Sequence, residues 1–555
     1  MKLAILNYLR GSWKTIKCWS MVSKSWFVIL SLFLFGCQRD QEPLAKPNIL
    51  VILADDMGYS DIGAYGSEIE TPNLDGLAKG GALFTQFYNT SRCCPSRASL
   101  LTGLYSHQAG IGFMVADQGY PSYQGFLNDQ CITLAEALKE VDYGTYAVGK
   151  WHVGTSKPNW PVKRGFDRFY GSSTAMGHYF GLMEGRDLII NDQQIKPNGE
   201  QRNLTNFSYT DIAREDGAEW YATDVYSDYA VQYIEDHISN SGDKPFFMYL
   251  AYTAPHWPLH ALPEDIKKYE NTYQVGWDEI RKSRLKRLKE MGILDEKVSL
   301  SPREDIEPWN SITNKDSVAR SMAVYAAMID RMDLGIGRVI STLEKNNQFD
   351  NTIIMFLSDN GGCPWGPVKS EPGSMVGEPE SYEKLPLGWA NANNTPFRLY
   401  KQYTHEGGIS SPLIISYPNK IPEPKIIRQP THIIDLFPTI LEWAGSEYPE
   451  TFKDQQLTPL EGKSLVSLVN NQPLKRDQPM FWEHRGHKAI LMDNWKLVMG
   501  DGDWELYDIN KDRAEQVNLI SQYPEVTKTL KTRWMEWVKD SGVMDLKDGK
   551  LVPFD

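Results

Sequence analysis

The stretch 47–56, Pro-Asn-Ile-Leu-Val-Ile-Leu-Ala-Asp-Asp, decides the fold. Its apolar run does not alternate, so it suits a strand covered on both faces, as in a parallel sheet with helices on each side. The run stops at Asp55-Asp56, and open α/β sheets hold their ligands at the carboxyl ends of their strands. The stretch 352–358, Thr-Ile-Ile-Met-Phe-Leu-Ser, ends in the same manner at Asp359-Asn360-Gly361-Gly362. A third run, 245–252, ends at Thr253-Ala254-Pro255-His256. Helical patterns at 133–139 and 318–345 lie between them. The expectation is an α/β fold: a large, mostly parallel sheet flanked by helices, with polar residues from three distant segments meeting at one edge.

Outward from this frame, residues 47–420 read as a catalytic α/β domain and 421–555 as a smaller C-terminal subdomain. There, a helix-like segment at 431–444 precedes short aromatic-rich strands at 480–484, 488–491, 495–498 and 504–508, with a turn at Asp501-Gly502. An amphipathic helix at 526–538 follows, which predicts a small antiparallel sheet with one helix packed on it. The charged, helical stretch 276–305 reads as a solvated excursion from the core.

Residues 1–37 stand apart. Lys24 precedes a short apolar run, 26–35, and then Leu34-Phe35-Gly36-Cys37. This reads as a secretory signal with a lipobox, too short to span a bilayer well, and Met21 is an alternative start. It implies an exported bacterial protein, periplasmic or an outer-membrane lipoprotein, that meets the membrane only through a lipid anchor at Cys37. The six cysteines are too few for a disulfide scaffold, although one bridge among Cys94, Cys131 and Cys363 remains open. A formal net charge of −13 excludes an undirected nucleic-acid binder, which needs a Lys/Arg surface. It leaves room for a small anionic substrate in a locally basic pocket.

The chemistry sits in Cys93-Cys94-Pro95-Ser96-Arg97-Ala98-Ser99-Leu100-Leu101-Thr102-Gly103. This resembles the sulfatase motif C-x-P-S-R-x-x-x-x-T-G, that of the formylglycine-dependent, arylsulfatase-like members of the alkaline phosphatase superfamily. Further segments match in the family's order. They are Gly149-Lys150-Trp151-His152-Val153-Gly154, Ala254-Pro255-His256-Trp257-Pro258, Lys401 through Glu406-Gly407-Gly408, and Trp504-Glu505-Leu506-Tyr507-Asp508. The resemblance covers nearly the whole chain after residue 46. It implies a sulfuric ester hydrolase in which Cys93 is oxidised by a formylglycine-generating maturation enzyme. One hydroxyl of the hydrated aldehyde attacks sulfur, and the other then expels sulfate.

Asp55, Asp56, Asp359 and Asn360 supply three carboxylates and an amide oxygen, a hard donor set that suits Ca²⁺ or Mg²⁺ better than zinc. The resemblance makes them, with modified Cys93, ligands of one Ca²⁺. It also implies that Arg97, Lys150 and Lys401 neutralise sulfate charge, that His256 with Lys401 protonates the leaving oxygen, and that His152 is the base. The family's sulfate-contacting serine has no single counterpart, since Ser172, Ser173 and Thr174 all offer hydroxyls and His178 follows. Substrates implied are sulfated carbohydrates, with aryl sulfates as model esters. Trp482, His484, Arg485, Trp257, His260 and Trp389 are candidates for a sugar-binding mouth, with plain aromatic packing as the alternative. Two competing readings are a phosphonate monoester or phosphodiester hydrolase of the same superfamily, and an inactive surface lipoprotein that binds anionic glycans. The second would show a broken catalytic motif, and none is broken.

Overall fold

Stretch 47–54 contains strand β1, Asn48–Ala54, with all seven residues buried. This is a computed structural model that describes residues 46–214 and 217–554. The export signal and the lipid anchor at Cys37 lie outside the described residues. Six further strands make most of the sheet around β1: β2 (Ala82–Tyr88), β3 (Gly144–Lys150), β4 (Arg168–Ser172), β5 (Phe246–Ala251), β6 (Thr352–Ser358) and β7 (Ser410–Ser416). They belong to an 11-stranded sheet in the spatial order β2-β7-β6-β1-β5-β3-β4, extended by short strands at both sides.

β1 pairs in parallel with β5 and β6, β5 with β3, and β3 with β4. β7 runs antiparallel to both β6 and β2. Six strands therefore end on one edge of the sheet, and the seventh begins there. Successive β1 side chains enter different cores, which explains the unbroken apolar run. Leu50, Ile52 and Ala54 pack under helices that contribute Tyr226, Met322 and Ile329. Ile49, Val51 and Leu53 pack against a layer containing Leu100, Leu138 and Phe437.

The helices that matter here are α1 (Cys93–Thr102), α2 (Ala222–Asn240), α3 (Trp277–Glu290), α4 (Lys315–Lys345), α5 (Leu436–Ala444) and α6 (Pro524–Ser541). The second sheet is antiparallel: β8 (Met480–His484), β9 (His487–Met492), β10 (Trp495–Met499) and β11 (Glu505–Asp508). Helix α6 packs on it through Leu530, Trp534 and Trp537, against Phe481, Ile490, Leu497 and Leu506.

Three expectations change. Stretch 431–444 is not wholly helical: Thr431–His432 pairs with β2 before one tight turn leads into α5. Stretch 276–305 is not a solvated excursion, because α3 buries Trp277, Ile280, Leu285 and Leu288. Its charge is partly internal, since the fully buried Arg284 reaches Asp61 at 2.6 Å and Glu68 at 2.7 Å. Finally, Cys94, Cys131 and Cys363 are buried free thiols, so the bridge left open among them is not formed.

Candidate active site

Because the strands share a direction, their ends deliver side chains to one place. Asp55 and Asp56 follow β1, Asp359 and Asn360 follow β6, Lys150 closes β3 and His152 lies just beyond it. His256 follows β5, and Lys401 lies on the approach to β7. Asp56 and His152 take left-handed backbone angles, φ 68° and 61°. Non-glycine residues pay for such angles, and they concentrate at functional sites.

The 93–103 motif is a helix with a fixed start and stop. Cys93 opens α1, and Gly103 ends it in the left-handed region at φ 71°. A Cβ on Gly103 would lie 2.7 Å from Phe437 Cβ, so glycine is required there. Ser96 Oγ donates to the Asp359 carbonyl at 2.5 Å and accepts the Thr90 N–H at 3.1 Å, which ties the helix to the end of β6. Arg97, fully buried, donates through Nε to Asp359 Oδ2 at 3.0 Å and through Nη1 to the Lys150 carbonyl at 2.7 Å. Its Nη2 lies 2.9 Å from Asp359 and 3.7 Å from Asp55. Glu406, in the 401–408 segment, is held by Lys496 at 3.0 Å and Arg513 at 3.1 Å, which fixes the turn that carries Lys401.

A cavity of about 410 Å³ opens above this floor. Cys93, Lys150, His152, His256 and Lys401 line it, whereas Arg97 stands behind Asp359 and Asp55 and does not. Lys150 meets Asp55 Oδ2 at 2.5 Å, and Lys401 pairs with Asp56 Oδ1. Asn360 Nδ2 donates to the same Asp56 oxygen at 2.7 Å. His256 Nδ1 faces the Trp257 carbonyl at 2.6 Å, and its Nε2 lies 3.4 Å from Asp56 Oδ2.

Within this frame Asp55 Oδ1, Asp56 Oδ2 and Asn360 Oδ1 are buried without a hydrogen-bond partner. Such groups are costly unless a ligand satisfies them. Ligand atoms of Asp55, Cys93 and Asp359 lie within 4.8 Å of one another, as do those of Asp55, Asp56 and His256. The donor set fits a hard cation. A softer set, Cys93, Cys94 and His152, is equally close and would lose a sulfur on conversion of Cys93.

Electrostatics follow from burial among many charges. Burial and then the Asp55 charge push Asp359 well above the usual carboxylate range. Burial would do the same to Asp55, but Lys150, His256 and Arg97 outweigh it and hold the group low. Burial and Lys150 depress His152 to about 4. Burial also lowers His256, against the pull of Asp56 and Asp55. Despite burial, Asp55 raises Lys150 and Asp56 raises Lys401, so both ammonium groups stay charged. The hydrogen bond from Cys94 takes the Cys93 thiol well below its ordinary value, against burial, with help from Lys150 and Lys401.

Comparison with known proteins agrees with this geometry. The family model described as Sulfatase matches residues 47–446. The chain belongs to the sulfatase family. A second model, N-sulphoglucosamine sulphohydrolase, C-terminal, matches residues 397–540. An uncharacterized sulfatase of Schizosaccharomyces pombe is 34% identical over 91% of this chain and 95% of its own. An arylsulfatase of Klebsiella aerogenes is 33% identical over 76% of this chain and 92% of its own. The solved structure of Ps i-CgsB in complex with k-i-k-neocarrahexaose superposes with a TM-score of 0.66 at 28% identity, covering 89% of this chain and 93% of that one. The protein is thus a sulfuric ester hydrolase, and its mixed sheet and small antiparallel sheet are the sulfatase fold.

The mouth of this sulfatase differs from the expected one. Trp257 lines the cavity, joined by Trp365, Met114 and Cys363. Trp389 is fully buried among Tyr273, Trp277 and Trp309, and its Nε1 donates to the Val318 carbonyl at 2.7 Å. Trp482 and His260 are likewise structural, spending ring nitrogens on the carbonyls of Asn89 and Ser381. His484 is fully buried, while Arg485 lies over the Phe113 ring. His178 binds the Pro379 carbonyl at 2.8 Å and stacks on Tyr209. Of the three open hydroxyls, Ser172 and Ser173 bond to Asp187, and Thr174 lines the cavity. Arg92 and Arg186 also line it, and neither was legible as a site residue. Arg92 adjoins Cys93, the one signal that could have drawn notice; Arg186 carries none.

Proposed function

We propose that residue 93, converted from cysteine to formylglycine, is the nucleophile of a Ca²⁺-assisted sulfatase acting on sulfated carbohydrates. The observation that carries this reading is the ring of unpartnered buried oxygens on Asp55, Asp56 and Asn360, set beside Cys93 beneath a lysine-lined cavity. A Ca²⁺ held by Asp55, Asp56, Asp359, Asn360 and residue 93 would grip a sulfate oxygen and draw charge from sulfur. Formylglycine, as its hydrate, would supply two hydroxyls on one carbon.

The chain's own residues account for the rest. Lys150 and Lys401 keep their charge and neutralise the peripheral sulfate oxygens in a partly dry cavity. Arg97, behind the floor, holds Asp359 in place and completes the positive field. His152, depressed to about 4, is neutral near pH 7 and can accept a proton from the residue 93 side chain. His256 spends Nδ1 on the Trp257 carbonyl, so Nε2 is the nitrogen free to protonate the leaving oxygen, assisted by Lys401. Trp257 and Trp365 offer flat faces to a sugar, and the oligosaccharide in the related solved structure supports a carbohydrate substrate. The export signal, the anchor at Cys37 and a maturation enzyme for Cys93 belong to the same proposal.

The test is a parallel assay of aryl sulfate, sulfated oligosaccharide, phosphodiester and phosphonate monoester, before and after exhaustive chelation. Sulfate release abolished by chelation and restored better by Ca²⁺ than by Zn²⁺ is expected. Full activity in protein shown by elemental analysis to lack metal would refute the metal role. Faster turnover of the phosphonate or phosphodiester would favour the competing hydrolase.

A further inference from the structure

Each cation at the cavity floor is matched to a carboxyl group. Lys150 faces Asp55, Lys401 faces Asp56 and Arg97 faces Asp359. Two cations remain on the cavity lining without a carboxylate. Arg186 comes from the turn before Leu188–Ile190 and is exposed, and among the described residues its side chain makes one hydrogen bond, from Nη1 to Thr174 Oγ1 at 3.3 Å. Arg92 comes from the residue that precedes α1, and its Nε is buried with no partner. Among the described residues neither has an acidic side chain within 4.0 Å. The cavity lining itself contributes no carboxylate to match them.

An unpaired guanidinium on a rim is ordinary. Two of them on the wall of one anion-binding cavity, one with a buried unpartnered nitrogen, are not, because a buried donor left unmet is costly. A sulfate monoester brings a single negative charge, which the floor lysines already face. Resting on the sulfatase chemistry proposed above, we infer that Arg186 and Arg92 form a second anion subsite, and that the preferred substrates carry another sulfate or a carboxylate beside the scissile ester. Arginine suits this task, since its planar fork binds either group through two parallel N–H···O bonds. Arg186 sits where both the main cavity and a small side cavity lined by Tyr382 and Trp257 can be reached, so it reads the neighbouring group at the rim.

The experiment uses 4-nitrophenyl sulfate hydrolysis by the matured holoenzyme as the readout. Competitors are benzenesulfonate, the three sulfobenzoate isomers and the three benzenedisulfonate isomers. In the wild type at least one dianion should inhibit about tenfold or more tightly than the monoanion, the size expected for one charge-assisted contact. That ratio should collapse toward one in Arg186→Gln and survive in part in Arg186→Lys. Tight sulfobenzoate assigns the second group as carboxylate, and tight disulfonate as sulfate. A wild-type ratio near one, or a ratio unchanged in Arg186→Gln, overturns the second subsite alone. If 4-nitrophenyl sulfate is not turned over, sulfate release from a sulfated oligosaccharide becomes the readout, and release from neither overturns the underlying chemistry and this subsite with it.

Discussion

Replacing Asp359 by alanine should expose two separate functions of one carboxylate. Without metal, the change strips Arg97 of the oxygen that it meets at 3.0 and 2.9 Å, and leaves a fully buried guanidinium with Asp55 at 3.7 Å as its nearest acid. Leaving a buried charge without its hydrogen-bonded partner costs about 3–5 kcal/mol. Unfolding entropy of about 2.1 cal/mol/K per residue gives a chain of this length about 1 kcal/mol/K, so the melting temperature should fall by about 3–5 °C. With Ca²⁺ at a hundred times the wild-type dissociation constant, the wild type should gain about 2.7 kcal/mol, hence about 2.7 °C, that a variant lacking a ligand gains only in small part. Differential scanning calorimetry of both proteins, with EDTA and with Ca²⁺, measures both effects. A gap that does not widen on adding Ca²⁺ would show that Asp359 is not a ligand. Identical melting in EDTA would show that the Arg97 pair contributes nothing.

Other outcomes follow from the same geometry. His256→Ala and Lys401→Ala should lose far more kcat/KM on alkyl or sugar sulfates than on activated aryl sulfates, because a good leaving group needs little protonation; equal losses would mean that both residues only bind sulfate. Glu505 lies at 2.6 Å from Arg398 and 3.1 Å from His405, and their hydrogen bonds overcome burial to hold it at about 2. Its folded value is depressed, so the stability that it adds is full above pH 4.5 and fades as pH falls toward 2. The melting difference between wild type and Glu505→Gln should shrink across that window, and a constant difference would contradict the assignment. Gly103→Ala should destabilise, because its Cβ would meet Phe437 Cβ at 2.7 Å and the left-handed backbone disfavours a side chain; unchanged melting would contradict this.

The convergence of the floor was legible because it depends on strand ends, and an apolar run stopping at Asp55-Asp56 or Asp359-Asn360 announces its own end. The 93–103 motif was legible because it forms one continuous segment, although its helical form, α1, came only with the structure. The mouth was not. Trp389 and Trp482 look like sugar platforms in a sequence, yet each indole N–H is spent on a backbone carbonyl inside the core. Arg186 lies on a turn with no motif, and only the fold brings it to Thr174. Stretch 276–305 misled because periodicity shows that Arg284 lies on a helix but not that Asp61 and Glu68, over two hundred positions earlier, wait beneath it. Long-range partners of buried charges are set by topology, which no local pattern encodes.

The most direct test of the central claim is peptide mass spectrometry across residues 90–97 of active protein. The account predicts an aldehyde at position 93, seen as the mass loss of thiol-to-aldehyde conversion and by reaction with a hydrazide probe, with Cys94 still a cysteine. A Cys93→Ala variant should be folded but inactive. Robust turnover by that variant, or by wild-type protein shown to hold an unmodified thiol at position 93, would contradict the mechanism.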